Sequence, residues 1–182
     1  MRRILSVVAL IFLSASVKAA PMVDLTIDGS TWSKPFVLQN LTGGEFNIIN
    51  IDIDLTATDL VFDAGPEYPG KLEVLSDVDA DFSVSDKVLS IDFNEVFQSF
   101  KWFLDVDFFS TGESYVVGSN LIGSDVSVTF DNGKKYLGGF VGVEQNTDAA
   151  TFAYDTVVSV PAPATLVMLS LVCLALGLRK RS

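Results

Sequence analysis

The chain reads as an all-β protein, an antiparallel β-sandwich of jelly-roll or immunoglobulin-like kind, carried between an N-terminal signal helix and a C-terminal transmembrane helix. Three observations predict this. Apolar and polar residues alternate with a period of two through most of residues 20–159. Clusters of Gly, Pro and Asn-Gly interrupt the alternation at hairpin-like intervals. The two long uncharged apolar runs lie at the ends of the chain.

Taken in order, residues 1–19 begin with Arg2 and Arg3, continue into the 14 residues ILSVVALIFLSASV and close on Val17-Lys18-Ala19. That order is a secretory signal peptide, with cleavage between Ala19 and Ala20. Its apolar part is short for a permanent bilayer span. The exported domain, residues 20–159, then offers candidate strands at MVDLTID (22–28), PFVLQNL (35–41), NIINIDIDLTA, KLEVLSD (71–77), ADFSVSD (80–86) and VLSIDFN. SFKWFLDVDFF (99–109), VSVTF (126–130), YLGGFVGV (136–143) and TFAYDTVVSV (151–160) follow. In NIINIDIDLTA, Ile51, Ile53 and Leu55 point one way and Asp52, Asp54 and Thr56 the other, as in a strand with one wet face. The sharpest local signal is VSVTF-DNGK-KYLGGF, where Asn132-Gly133 supplies the pair of positive φ angles of a type I′ turn. NEVFQSF (94–100) predicts one helical turn.

Charge divides the chain as sharply as hydropathy does. All 23 acidic residues lie between Asp24 and Asp155 with only six lysines among them, so the domain carries −17, and three cations at each end bring the whole to −11. Such a field repels nucleic acid and anionic lipid and excludes phosphate-backbone binding. Cys173, the single cysteine, falls in the C-terminal apolar run, so the domain has no disulfide and depends on a packed core.

No histidine is present, which removes Ser-His-Asp and Cys-His nucleophiles, histidine metal sites and the commonest general base. Nothing points to a resident cofactor. Carboxylates remain. Asp77, Asp79 and Asp81 have the spacing of a calcium loop, but Phe82 stands where the turn needs Gly and Val88 where a bidentate Glu belongs. Asp52 with Asp54, and Asp105 with Asp107, each share a strand face, and neighbouring strands could join them into an oxygen-rich Ca²⁺ site. Aspartates marking the wet faces of strands explain the same residues. A glycosidase pair is a weaker alternative in so acidic a chain. In SFKWFLDVDFF the residues Phe100, Trp102, Leu104, Val106 and Phe108 share one parity and read as core. Phe103 and Phe109 share the other, and with Trp32, Tyr68 or Tyr115 they form a candidate aromatic platform for sugar rings; packing against a second sheet accounts for them equally.

The end of the chain carries its own signal. Val160, Pro161, Ala162 and Pro163 precede the uncharged stretch Ala164–Leu178, which reaches about 22 Å as a helix. Arg179, Lys180 and Arg181 follow and orient the segment with its basic end in the cytoplasm. Signal peptide, domain, short proline motif, apolar helix and basic cluster in this order resemble the PEP-CTERM proteins of Gram-negative bacteria. One position departs: Ala162 stands where the family's usual residue is glutamate. The resemblance implies recognition by an exosortase, a membrane transpeptidase that removes the helix and passes the protein to the cell exterior, usually in organisms that make exopolysaccharide. Residues Leu121 to Phe140, with WFLDVDF (102–108) upstream close to the family form FxLDVDF, also look like the β-sandwich bodies that precede such tails. A plain single-span anchor with the prolines as a stalk is the alternative.

The expectation is a non-enzymatic surface or extracellular-matrix protein. Its partners are the Sec translocon, signal peptidase, an exosortase, the membrane and, as an alternative function, an exopolysaccharide bound with or without Ca²⁺. Its expected location is the inner membrane, single-pass with the domain in the periplasm, and then the cell surface or medium.

Overall fold

The fold, a computed structural model that describes residues 22–63, 72–113 and 115–160, is all-β and antiparallel. The strands are β1 (Val23–Asp28), β2 (Phe36–Asn40), β3 (Ile48–Asp54), β4 (Leu60–Asp63), β5 (Glu73–Val74), β6 (Ala80–Val84), β7 (Val88–Phe93), β8 (Ser99–Phe103), β9 (Asp105–Phe108), β10 (Asp125–Phe130), β11 (Lys134–Val143) and β12 (Asn146–Ser159). Ten of them form one sheet in the order β5-β8-β2-β1-β12-β11-β10-β3-β7-β6, and β4 pairs with β9. Among the described residues no helix is long and apolar enough to cross a membrane. The signal segment with its Ala19/Ala20 cleavage point, Tyr68, and the tail from Pro161 through Arg181 lie outside the described residues.

Chain connectivity forces this sheet to curl. β7 and β8 are consecutive in sequence but hold the ninth and second places in the sheet. Laid flat, seven strand spacings would separate them by about 34 Å. The link from Phe93 to Ser99 reaches about 21 Å at full extension. The two ends of the sheet therefore approach each other, and an aromatic cluster fills the space between them. Phe93 meets Phe100 edge-on at 4.9 Å, Phe97 sits 4.4 Å from Phe93, and Phe82 lies 6.2 Å from Phe100. Trp102 extends the cluster and stacks on Phe36 at 5.2 Å.

The core occupies the concave side. It takes the apolar parity of each strand: Val23, Leu25 and Ile27; Ile51 and Ile53; Leu89, Ile91 and Phe93; Val126, Val128 and Phe130. Burial of each such side chain contributes about 1.5–3 kcal/mol. The alternating sequence is thus the direct cause of a two-faced sheet.

Several expectations are corrected. The β10–β11 hairpin forms, but not through a type I′ turn: among the described residues Gln145 alone has positive φ without being glycine, so Asn132 does not. Its side chain instead accepts from the Lys134 N–H at 2.9 Å, and Gly133, at φ 77°, takes the left-handed step alone. Gly133 donates to the Phe130 carbonyl at 3.0 Å, closing a three-residue loop that ends in a glycine.

SFKWFLDVDFF is not one strand. Leu104, Asp105 and Val106 are all buried, a run that alternation cannot produce, and the chain passes at Leu104 from the ten-stranded sheet into the β4–β9 pair. KLEVLSD shrinks to the two residues of β5, NEVFQSF forms no helix, β12 begins five residues before Thr151, and LVFD (60–63) is a strand that the alternation does not single out.

Candidate functional site

The convex face of β7, β3, β10 and β11 carries a polar ladder. Asp52 stands opposite Ser90 on one side and Ser127 on the other. Its carboxylate accepts from Ser90 Oγ at 2.7 Å, Ser127 Oγ at 2.9 Å and Lys135 Nζ at 3.3 Å. Burial pushes its pKa up, but the two hydroxyls and the ammonium together outweigh burial and hold it below the ordinary value. Asp54 accepts from the Thr56 N–H at 2.7 Å, and the Thr56 hydroxyl first, then this N–H, hold its pKa below the ordinary value. Across the β3–β10 ladder Asp54 faces Asp125, a like-charge pair that favours a cation or a hydroxyl-bearing ligand between the two.

Beside this ladder runs an open groove of about 920 Å³ lined by Asp52, Asp54, Asp125, Lys135, Gly139 and Tyr154, among others. Two glycines make it. A Cβ on Gly138 would collide with the Ala153 carbonyl oxygen, and one on Gly139 would lie 2.6 Å from that of Ser124. The same close approach accompanies the register shift between Leu137 and Gly138.

Asp105 and Asp107 are elsewhere, on β9. Because β3 and β9 belong to different sheets, the ladder does not join the two aspartate pairs into one calcium site. Asp105, expected on a wet face, is 3% exposed. Its Oδ1 accepts from Thr31 Oγ1 at 3.1 Å and from the Val106 N–H at 2.9 Å. Asp63 lies directly opposite on β4. Burial first, and the neighbouring Asp63 charge, raise the Asp105 pKa; burial first, then Asp105 and Asp63, raise that of Asp107. One oxygen of Asp107 is buried with no hydrogen-bond partner. Among the described residues no group of three or more His, Cys, Asp or Glu is arranged to hold a metal ion.

The aromatic platform is divided as well. Phe103 ends β8 and is half-buried opposite Glu73. Phe109 follows β9 and is 72% exposed, with Lys87 Nζ 5.6 Å from its ring centre. Trp32 is 48% exposed. The Ser30–Val117 bridge and the Thr31 N–H to Val116 carbonyl bond tie the two segments together, but the chain turns at once, with Ser33 and Lys34 N–H both donating to the Ser30 carbonyl, so Trp32 lies in that turn and Tyr115, 72% exposed, lies two residues before the bridge.

At the end of the domain, β12 runs to Ser159 and the Val160 N–H donates to the Gly133 carbonyl at 2.6 Å. Val160, the first residue of the proline motif, therefore sits at the tip of the β10–β11 hairpin. Comparison with protein-family models, with curated proteins and with solved structures finds no match to this chain.

Proposed function

We propose that the chain is an exported, non-enzymatic surface or matrix protein, a two-layered β-sandwich body held at the inner membrane by its C-terminal sorting tail until an exosortase cuts it. The layered reading is supported by the curl that brings Phe82 and Phe93 against Phe100. The observation that carries the sorting reading is the order of the sequence after β12, where the proline motif at 160–163 and the apolar run from Ala164 follow Ser159 with no intervening segment. A body of this charge, without histidine or cysteine, supports a structural role over catalysis.

Intact mass spectrometry of the mature protein tests this. A C-terminus near residue 161 with an N-terminus at Ala20 is the expected result; a chain that still ends at Ser182 refutes processing, and one that still begins at Met1 refutes cleavage of the signal peptide. Pro163→Ala should then leave tail-bearing protein in the inner membrane.

A second reading, a carbohydrate-binding module, is favoured by one observation: two exposed aromatics, Trp32 and Tyr115, on the same molecule as an open, carboxylate-rimmed groove. Aromatic faces stack on sugar rings and carboxylates accept from hydroxyls. The acidic field restricts such a ligand to neutral or cationic glycans.

A further inference from the structure

We propose that the last stretch of the β11–β12 ladder is a catch that has to open before the tail can be cut, so that the folded body itself sets the rate of its release; this rests on the sorting reading above.

β12 is held unevenly along its length. Its first half lies between two strands, with Ala149, Ala150 and Thr151 paired to β1 and the same region paired to β11. From Phe152 onward, the ladders among the described residues hold β12 on the β11 side only. A register shift at Leu137/Gly138 then sets the final stretch apart, where Thr156, Val157, Val158 and Ser159 pair with Leu137, Tyr136, Lys135 and Lys134. The bond from Val160 to Gly133 closes the stretch. Val157, Val158 and Val160 are exposed, so backbone bonds with little apolar packing hold this end. Segments of that kind open at a small fraction of the global unfolding cost.

Reach makes the opening necessary. Only four residues, Val160 to Pro163, separate the end of β12 from the apolar run that starts at Ala164, about 14 Å when fully extended. A processing enzyme that holds its substrate by strand addition needs the main-chain hydrogen bonds around the cut bond free. The residues upstream of the motif already spend those hydrogen bonds on β11. Either β12 peels back from Ser159 or the enzyme finds no strand to hold. The membrane-buried end cannot supply the slack.

Lys134 and Ser159 are Cα partners in the ladder, and the 133–160 bond next to them makes theirs a non-hydrogen-bonded pair, the geometry that accepts a cross-strand disulfide. The test is pulse-chase of the full chain in its own cells, following the tail-bearing and tail-free forms. Wild type should lose the tail. The double variant Lys134→Cys with Ser159→Cys, once oxidised, should keep it with a half-life longer by roughly tenfold or more, and a reductant should restore the wild-type rate. Each single variant should behave as wild type, which separates the cross-link from the substitutions. Gly133→Val, which forces a branched side chain onto φ 77° with its Cβ 3.1 Å from the Val160 carbonyl oxygen, should act in the opposite sense and shorten the half-life. Equal half-lives for the oxidised pair and wild type overturn the catch while leaving the sorting reading intact. A wild-type chain that never loses its tail overturns the sorting reading, and the catch with it.

Discussion

Phe93 and Phe100 meet edge to face at 4.9 Å, although their strands stand ninth and second in a ten-stranded order. The contact converts an open sheet into a curled body with a sealed seam. It forms between residues only seven apart in sequence, so the closure costs little chain entropy.

Phe100→Ala should therefore destabilise more than an average core truncation, by about 3–5 kcal/mol. Phe100 touches Phe82, Phe93, Phe97 and Trp102, and its loss opens the seam from both sides. Urea unfolding followed by tryptophan fluorescence measures it. A loss under about 1 kcal/mol would mean that the seam contributes little.

Asp107→Asn should stabilise the domain at pH 7. Asp105 and Asp107 both have raised folded-state pKa values, caused first by burial. Their contribution is complete below the unfolded aspartate value of about 3.9 and is lost as pH rises through the raised value. Removing one charge lifts that penalty by on the order of 1 kcal/mol near neutrality, and the gain should shrink as pH falls to about 4. Paired urea melts at the two pH values check both the gain and its disappearance.

The opposite sign holds on the convex face. Asp52 has a lowered folded-state pKa, since its hydrogen bonds and Lys135 outweigh burial. The stability that it supplies is present above about pH 4 and lost as pH falls through the lowered value. Asp52→Ala should cost about 1–2 kcal/mol at pH 7, because Ser90 and Ser127 lose their acceptor, and almost nothing in strong acid. Lys135→Ala should cost less than about 1 kcal/mol, as the ion pair is partly exposed. An Asp52 effect independent of pH would assign the loss to packing.

Gly138→Ala should destabilise by about 3 kcal/mol or more, as its Cβ meets the Ala153 backbone and only a backbone shift can make room. Circular dichroism melts of the variant would show it. A neutral result would mean that β11 and β12 slide past the bulge freely.

If the domain is a glycan receptor, an array of neutral glycans should give binding that Trp32→Ala or Tyr115→Ala abolishes. Running the array with calcium and with chelator separates a cation-bridged site at Asp54 and Asp125 from plain stacking. An array with no signal in either condition leaves the structural role standing.

The sequence made some of this legible and hid the rest for physical reasons. Alternation at Ile51, Asp52, Ile53 and Asp54 reports the burial of β3 directly, because the pleat alone decides which side chains turn inward. The Asn-Gly pair locates the β10–β11 hairpin, while the choice between turn types depended on whether Asn132 used its side chain on the Lys134 N–H. The break at Leu104 was hidden, since a strand that changes sheets keeps its apolar spacing and shows itself only as an aspartate turned inward toward a distant Thr31. The groove required the β3–β10 register, which joins residues about 70 positions apart and more, and two glycines each pressed against backbone 15 positions away, relationships that no local pattern encodes. Trp32 and Tyr115 were singled out by their type alone, and both are exposed.

The curled sheet still has two borders, and both are poor templates. β5 offers two residues, and β6 offers five bracketed by Asp77, Asp79 and Asp86. Strand-on-strand stacking of neighbouring molecules into fibres needs a long, flat, uncharged rim. Crowded side by side at high concentration, copies of this protein should stay dispersed.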